Sequence, residues 1–156
     1  MKNILRTLLI LIPLFFTSCT TNERLVKKQA LAESESQFND ELVKEAQDQI
    51  AGSDWLRNAY VEFIKKHTDF SVDDVQFQGE TLAVAATSIS TYPKKMRLML
   101  VAIAGRVPPE KVRQFNFAYA LQLLGEQFKV KVVPEKQKAG VFKFQKDSSG
   151  NWTLQK

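Results

Sequence analysis

The chain has a single cysteine, Cys19, and a single histidine, His67, among its 156 residues. One cysteine excludes an internal disulfide and a metal site built from several thiolates. The six glycines are scattered along the chain, so there is no glycine-rich loop of the kind that cradles a phosphate. No Gly-x-Ser-x-Gly motif occurs, and a Ser–His–Asp triad would depend on His67 alone. We therefore expect no enzyme, no cofactor and no bound metal.

The composition is that of one soluble domain with a short extension. The chain is 44% hydrophobic and 25% charged and holds 11 phenylalanines, which is enough for a packed core. Its formal net charge of +5 is mild, and the basic residues include no arginine cluster. The charge therefore gives no reason to expect a nucleic-acid partner.

The first 18 residues have the organisation of a secretory signal. Lys2 and Arg6 supply positive charge without any acidic residue, and an almost purely apolar run follows over residues 8–16. That run is too short for a permanent transmembrane helix, which needs roughly 20 residues. A basic start followed by a short apolar stretch is typical of an export signal.

The end of this signal, Phe16-Thr17-Ser18-Cys19, resembles the bacterial lipobox, in which small residues precede an acceptor cysteine. Thr17 and Ser18 fit the pattern, whereas Phe16 departs from the usual leucine. The resemblance implies that the chain is cut before Cys19 and that fatty chains such as palmitate on this residue anchor the protein in a membrane. The alternatives are an ordinary signal with a chance cysteine and an uncleaved anchor.

The residue after Cys19 is Thr20, not aspartate. By resemblance to lipoprotein sorting signals, this implies a lipid-anchored protein of the cell envelope, in the outer membrane facing the periplasm. We divide the chain into a signal peptide (1–18), the lipidated cysteine with a polar, flexible tether (19–37) and a single folded domain (38–156).

Apolar periodicity and turn residues predict the elements of that domain. We expect helices over 38–50 and 55–67, meeting at Gly52, with one kinked helix as the alternative. Residues 75–91 are predicted as a strand pair with its turn at Gly79-Glu80, or as one long bent strand. Residues 96–104 are predicted as a buried helix, with a strand as the competing interpretation. A further helix is predicted from Pro109 to Gly125. Strands over 128–133, 141–145 and 151–154 follow, separated by turns at 134–140 and 147–150.

This order predicts an α+β fold, with helices packed on one face of a curved antiparallel sheet. The chain here resembles the nuclear-transport-factor-2-like, cystatin-like cone. The N-terminal helix pair, residues 79–84 as a first hairpin, and the ending 142–154 with its glycine turn and Trp152 carry this resemblance.

Basic residues outnumber acidic ones in the second half of the chain, from Lys94 onward, and acidic ones dominate before it. If neighbouring strands alternate as predicted, one sheet face gathers several lysines. Such a patch would suit an envelope protein or an anionic lipid, although a solvated outer sheet face is the more common origin of such a pattern. The candidate basic patch consists of Lys129, Lys131, Lys143 and Lys146.

Aromatic and apolar side chains on the predicted helices are candidates to line a pocket inside the cone, with ordinary core packing as the alternative. These candidates are Tyr60, Met99, Phe115 and Tyr119. An acid–tyrosine pair of the kind that some cone enzymes use would be drawn from Tyr60, Tyr119, Glu62 and Asp69. His67 is interpreted as a cap at a helix end.

Three functions remain in view. The first is a non-enzymatic, envelope-anchored binding or interaction module. The second is a carrier of a small apolar ligand or lipid in a cone pocket, and the third is a cone-fold enzyme. A cavity above ~300 Å³ with convergent polar groups would favour the second or third.

Overall fold

The computed structural model describes the backbone of residues 2–155 and the side chains of residues 21–155. Among the residues whose side chains are described, no helix is long and apolar enough to cross a membrane. The elements are α1 (Lys2–Gln49), α2 (Asp54–Lys66), β1 (Asp69–Gln78), β2 (Leu82–Thr91), α3 (Lys94–Ala104), a 3-10 helix (Pro109–Gln114), α4 (Phe117–Phe128), β3 (Glu135–Lys146) and β4 (Trp152–Leu154).

The strands form one four-stranded antiparallel sheet in the order β1-β2-β3-β4. Helices pack against this sheet, so the predicted α+β class is confirmed. In the last hairpin, Phe144 pairs with Leu154 and Lys146 with Trp152. Asp147 closes its turn by accepting hydrogen bonds from the backbone of Ser149 and Asn151.

Two compact units divide the chain, and each has its own core. Unit 1 comprises Met1–Ala32, Val72–Thr87 and Gly140–Lys156. Its core sets the α1 residues Val26 and Ala30 against small residues of β2 and against Trp152. Gln29 Nε2 donates to the Trp152 carbonyl at 2.5 Å. This core consists of Val26, Ala30, Ala83, Ala85, Phe142, Phe144 and Trp152.

The structure differs from the sequence interpretation over residues 21–37, which was a flexible tether. These residues are helical, and Val26 and Ala30 are fully buried. Two apolar side chains four positions apart make a narrow apolar stripe on a helix. This stripe is enough to pack against β2, because the β2 residues in this core are the small Ala83 and Ala85. Packing therefore begins upstream of the predicted boundary at residue 38.

Unit 2 comprises Glu33–Ser71 and Ser88–Ala139. The predicted break between its first two helices is confirmed: α1 ends at Gln49, and Gly52 has a positive φ of 74°. Ser53 then caps α2 by accepting from the Leu56 amide at 3.2 Å. The buried residues of this core are Phe38, Leu42, Ala46, Ile50, Leu56, Tyr60, Ile64, Ile89, Tyr92, Met96, Leu100, Val101, Ala104, Phe117, Ala120, Leu121 and Leu124.

The apolar run at 96–104 is a helix, as predicted, and not a strand. Its buried positions, Met96, Arg97, Leu100, Val101 and Ala104, follow the 3.6-residue period of one helix face. The helix ends at a glycine, which is where the sequence predicted its end.

The helix predicted from Pro109 to Gly125 is wrong at both ends. A 3-10 helix comes first, and α4 begins only at Phe117, where the Asn116 side chain accepts from the Tyr119 amide at 3.0 Å. α4 then continues past Gly125 to Phe128. Asn116 is a better helix cap than the proline pair, because its side-chain oxygen satisfies a free backbone amide.

The strand predicted over 128–133 and the turn predicted over 134–140 are also wrong. Lys129 adopts a left-handed conformation with φ 55° and ends α4. The Val130 amide donates to the Gly125 carbonyl at 3.0 Å and the Lys129 amide to Glu126 at 3.2 Å, the hydrogen-bond pattern of a Schellman motif. The alternating valines therefore follow a helix end, and Val132 packs on the unit 2 core.

Candidate functional site

A cleft of about 490 Å³ opens in unit 2, where the end of α2, the residue after β2 and the exposed side of α4 face one another. The segment that follows α4 forms its remaining wall. The lining residues are Phe63, His67, Tyr92, Ala118, Leu121, Gln122, Gly125, Glu126, Lys129, Val130 and Val132.

Three aromatic rings form one wall of this cleft. Phe63 and Tyr92 stack with centroids 6.1 Å apart and planes 10° apart. The centroid of the His67 ring lies 4.7 Å from that of Phe63 and 5.6 Å from that of Tyr92. His67 stands at the C-terminus of α2, as predicted, with Nδ1 2.8 Å from the Phe63 carbonyl oxygen. Because a carbonyl only accepts, the proton belongs on Nδ1, and Nε2 is left for another partner.

Tyr92 is the buried polar group of the cleft. The residue is only 7% exposed, and its hydroxyl forms no hydrogen bond with any residue in the described part of the chain. Within that part, Asn39 Oδ1 is the one fully enclosed side-chain atom without a partner, so the Tyr92 hydroxyl is not sealed in. Burial raises the pKa of Tyr92 above its ordinary value of 10.0. Because this hydroxyl keeps access to solvent and no described residue binds it, it can hydrogen-bond water or a bound molecule.

The α4 side of the cleft carries two opposite charges. Gln122 Nε2 donates to Glu126 Oε1 at 2.9 Å, which orients the carboxylate one turn further along the helix. Lys129 follows at the left-handed helix end. Neither Glu126 nor Lys129 has an ion-pair partner among residues 21–155. Both charges are thus free to meet a ligand at the cleft.

A second polar cluster lies buried in unit 2 and is self-contained. Arg97 Nη2 contacts Glu45 Oε1 at 2.8 Å and Glu41 Oε1 at 3.1 Å. The Tyr60 hydroxyl donates to Glu45 Oε2 at 2.7 Å. Burial, reinforced by the Glu45 carboxylate, raises the pKa of Tyr60 well above its ordinary value of 10.0. Every member of this cluster has a partner inside the protein, which fits a role in specifying the packing of unit 2.

The candidate pocket residues do not share one cavity. Tyr60 is fully buried on Glu45, and Met99 packs partly buried on the same core. Phe115 lies edge-on to Phe117 at 4.8 Å along a different surface groove. Tyr119 is 59% exposed, so its expected place on a buried helix face is wrong. The buried face of α4 is formed by Phe117, Ala120, Leu121, Leu124 and Gly125, and Tyr119 does not belong to it.

The acid that meets Tyr60 is Glu45, and neither Glu62 nor Asp69 contacts it. Glu62 is exposed and lies 3.9 Å from Lys65, and Asp69 is an exposed residue at the start of β1. The acid–tyrosine set chosen from the sequence is therefore not assembled.

The four lysines of the candidate basic patch do not lie on the one sheet face that the sequence predicted for them. Lys129 and Lys131 lie at a helix end and in an irregular segment of unit 2, so strand alternation does not apply to them. Lys143 and Lys146 lie on β3 of unit 1, but three residues apart, which places them on opposite faces of the strand. Lys146 Nζ sits 5.7 Å from the Trp152 ring centroid, on the inner face.

The Cys19 side chain lies outside the described residues. The residues of the cleft were missed, apart from His67 and Lys129, because they become neighbours only through the packing of distant segments. One signal was present in the sequence: the only histidine stands at the end of a strongly amphipathic helix.

Comparisons of the chain with protein-family models, curated proteins and solved structures found no match. The resemblance to the cystatin-like cone therefore stays a prediction.

Proposed function

We propose that this protein is a lipid-anchored binding module of the cell envelope, and that it binds a small amphipathic molecule in the cleft of unit 2. The Tyr92 hydroxyl carries this proposal, because it belongs to a largely buried residue that lines the cleft, keeps access to solvent and has no hydrogen-bond partner among the described residues. The cleft volume of about 490 Å³ lies within the range of small-molecule sites. The aromatic wall and the polar groups on α4 supply the mixed chemistry that such sites share.

The binding test uses benzyl alcohol as a minimal amphipathic probe. The full chain, labelled with ¹⁵N and held in detergent micelles, is titrated with this probe and followed by NMR. We expect amide shifts concentrated at His67, Gln122 and Val132. Ala118→Trp, which fills the cleft from α4, should abolish them, whereas Ala32→Trp on the exposed side of α1 should not. Shifts spread evenly over the surface, or unchanged in Ala118→Trp, would refute the proposed site.

The anchoring part of the proposal is supported by the basic start, the apolar run and the position of Cys19. Metabolic labelling with a palmitate analogue should mark the wild-type chain and leave Cys19→Ser unmarked. Equal labelling of both would remove the anchor. The outer membrane remains the expected location, and sucrose-gradient separation of the membranes tests it.

Docking of an envelope protein or an anionic lipid through the four lysines remains a prediction, but it has lost the shared sheet face on which it depended. Carrier activity for a small apolar ligand stays the second candidate. It is favoured by the apolar part of the cleft, formed by Leu121, Val130 and Val132.

A further inference from the structure

We propose that the ligand of the unit 2 cleft is a zwitterion with an apolar body, of the type of a hydrophobic α-amino acid. This inference rests on the proposed binding function and adds the charge class of the ligand. It follows from two charges on α4 without an ion-pair partner among the described residues, and from the apolar side chains and the Tyr92 hydroxyl that line the same cleft.

The charges lie close together and have opposite signs. Glu126 and Lys129 are three positions apart where α4 ends, and both line the cleft. No ion pair joins them within the described residues. An anion would be attracted by Lys129 and repelled by Glu126, and a cation would experience the reverse. Only a ligand that carries both charges gains from both residues, which is how a site rejects singly charged competitors.

The local structure holds both groups in place. Gln122 donates to one oxygen of Glu126 at 2.9 Å, and the second oxygen remains for a ligand ammonium group. Lys129 occupies a left-handed position in which a non-glycine residue is strained.

The rest of the cleft suits an apolar body. Leu121 and Val132 give the cleft an apolar lining, and the Phe63 ring, which also packs on Tyr92 and Phe117, belongs to the same lining. A planar side chain can pack against this ring in the offset or edge-on geometry that aromatic pairs prefer. The Tyr92 hydroxyl can donate a hydrogen bond to the ligand carboxylate.

Three compounds with one benzyl body separate the charge classes. L-phenylalanine is the zwitterion, 3-phenylpropanoate lacks the ammonium group, and 2-phenylethylamine lacks the carboxylate. We expect the wild-type chain, titrated at neutral pH by NMR, to bind L-phenylalanine at least about tenfold more tightly than either relative, since each added charge contact contributes on the order of a factor of ten.

Variants that neutralise one of the two charges should lose the preference for the zwitterion over one of its singly charged relatives. Glu126→Gln should bind 3-phenylpropanoate as tightly as L-phenylalanine, and Lys129→Gln should do the same for 2-phenylethylamine. The matched controls are Lys131→Gln and Glu135→Gln, which remove the same charges from exposed positions outside the cleft. Both controls should keep the wild-type preference.

The outcomes are distinguishable. Equal affinity for all three compounds, with binding lost in Ala118→Trp, would overturn the zwitterion inference and leave the cleft proposal standing. Tighter binding of one singly charged compound than of L-phenylalanine would also overturn the zwitterion inference and leave the cleft proposal standing. If neither these compounds nor benzyl alcohol shifts the cleft amides, both proposals fail. An effect of Lys131→Gln equal to that of Lys129→Gln would also overturn the inference, because it would show a diffuse field and not a contact.

Discussion

Arg97 and Glu45 form a two-point ion pair inside unit 2, with Nη2 2.8 Å from Oε1 and Nε 3.3 Å from Oε2. Arg97 is 1% exposed and Glu45 6%. The guanidinium also donates to the Tyr92 carbonyl at 3.2 Å and lies 5.0 Å from the Phe38 ring centroid. Through these contacts one side chain joins α1, α3 and the end of β2.

Removing one partner of this pair should be costly. Arg97→Met leaves a buried carboxylate without its countercharge, and we expect the free energy of unfolding in urea to fall by about 3–5 kcal/mol. The control is Lys94→Met, which removes an exposed ion pair to Glu41 and should cost no more than about 1 kcal/mol. The double variant Glu45→Met/Arg97→Met should recover most of the loss. If it is no better than Arg97→Met alone, the ion pair is not the cause.

Alkaline pH should destabilise the protein through Tyr60. Its pKa is raised in the folded state, so the unfolded chain loses the phenol proton first, and stability that is complete below about pH 10 falls as the pH rises further. The urea midpoint should therefore decrease above about pH 10 in the wild type and decrease less steeply in Tyr60→Phe. Tyr119→Phe, at an exposed position, should follow the wild type. Identical slopes for all three proteins would contradict this assignment.

The packing of α1 upstream of residue 38 can be tested with adjacent residues. Val26 is fully buried in the unit 1 core, whereas Leu25 is 44% exposed. Val26→Ala should cost roughly 1–3 kcal/mol of unfolding free energy, because two methyl groups leave a packed site. Leu25→Ala removes a larger side chain and should change stability by less than about 0.5 kcal/mol. If both substitutions leave the free energy of unfolding unchanged, residues 21–37 would be a flexible tether, as the sequence predicted.

Gly105 is required for steric and not for conformational reasons. Its φ of −65° suits any residue, but a Cβ there would overlap the Gln49 carbonyl oxygen. Gly105→Ala and Gly105→Asn should both cost at least about 1–3 kcal/mol, measured by thermal unfolding. At Gly52, where φ is +74° and the surrounding space is open, Asn should be tolerated far better than Ala. If Gly105→Ala unfolds at the same temperature as the wild type, the close approach of Gly105 to the Gln49 carbonyl would be contradicted.

Lys129→Gly tests the strain at the end of α4. Glycine adopts the left-handed conformation without a Cβ penalty, so this variant should be more stable by up to about 1 kcal/mol. Lys131→Gly, in an irregular segment without a positive φ, should be neutral or slightly destabilising. A loss of stability in Lys129→Gly would show that the lysine side chain contributes contacts that outweigh its strain.

Local signals predicted a large part of the fold. Ser53 and Gly52 identified a helix boundary, and Gly79 and Gly150 identified two turns, because each acts within a few residues of its own position. The prediction failed between Pro109 and Gly140. There Gly125 looked like a helix stop, but the Schellman hydrogen bonds closed the helix at Lys129 instead.

The candidate site was far less predictable. Tyr92 lies 25 residues after His67, and Gln122 lies 30 residues after Tyr92. No periodicity links such positions. Arg97 lies within an apolar run, and its partner Glu45 is 52 positions away in the sequence. No local pattern therefore predicted that these two residues form a buried ion pair.

The sequence by itself determined the α+β class, the boundary between α1 and α2, and the turns of the β1–β2 and β3–β4 hairpins. Capping, turn geometry and apolar period are properties of neighbouring residues. Only the tertiary structure decided that α1 packs from Val26 onward and that Phe63, Tyr92 and Glu126 face one cleft. Those relationships depend on which side chains meet after long loops close, and the free energy that selects them comes from burial shared among segments far apart in the chain.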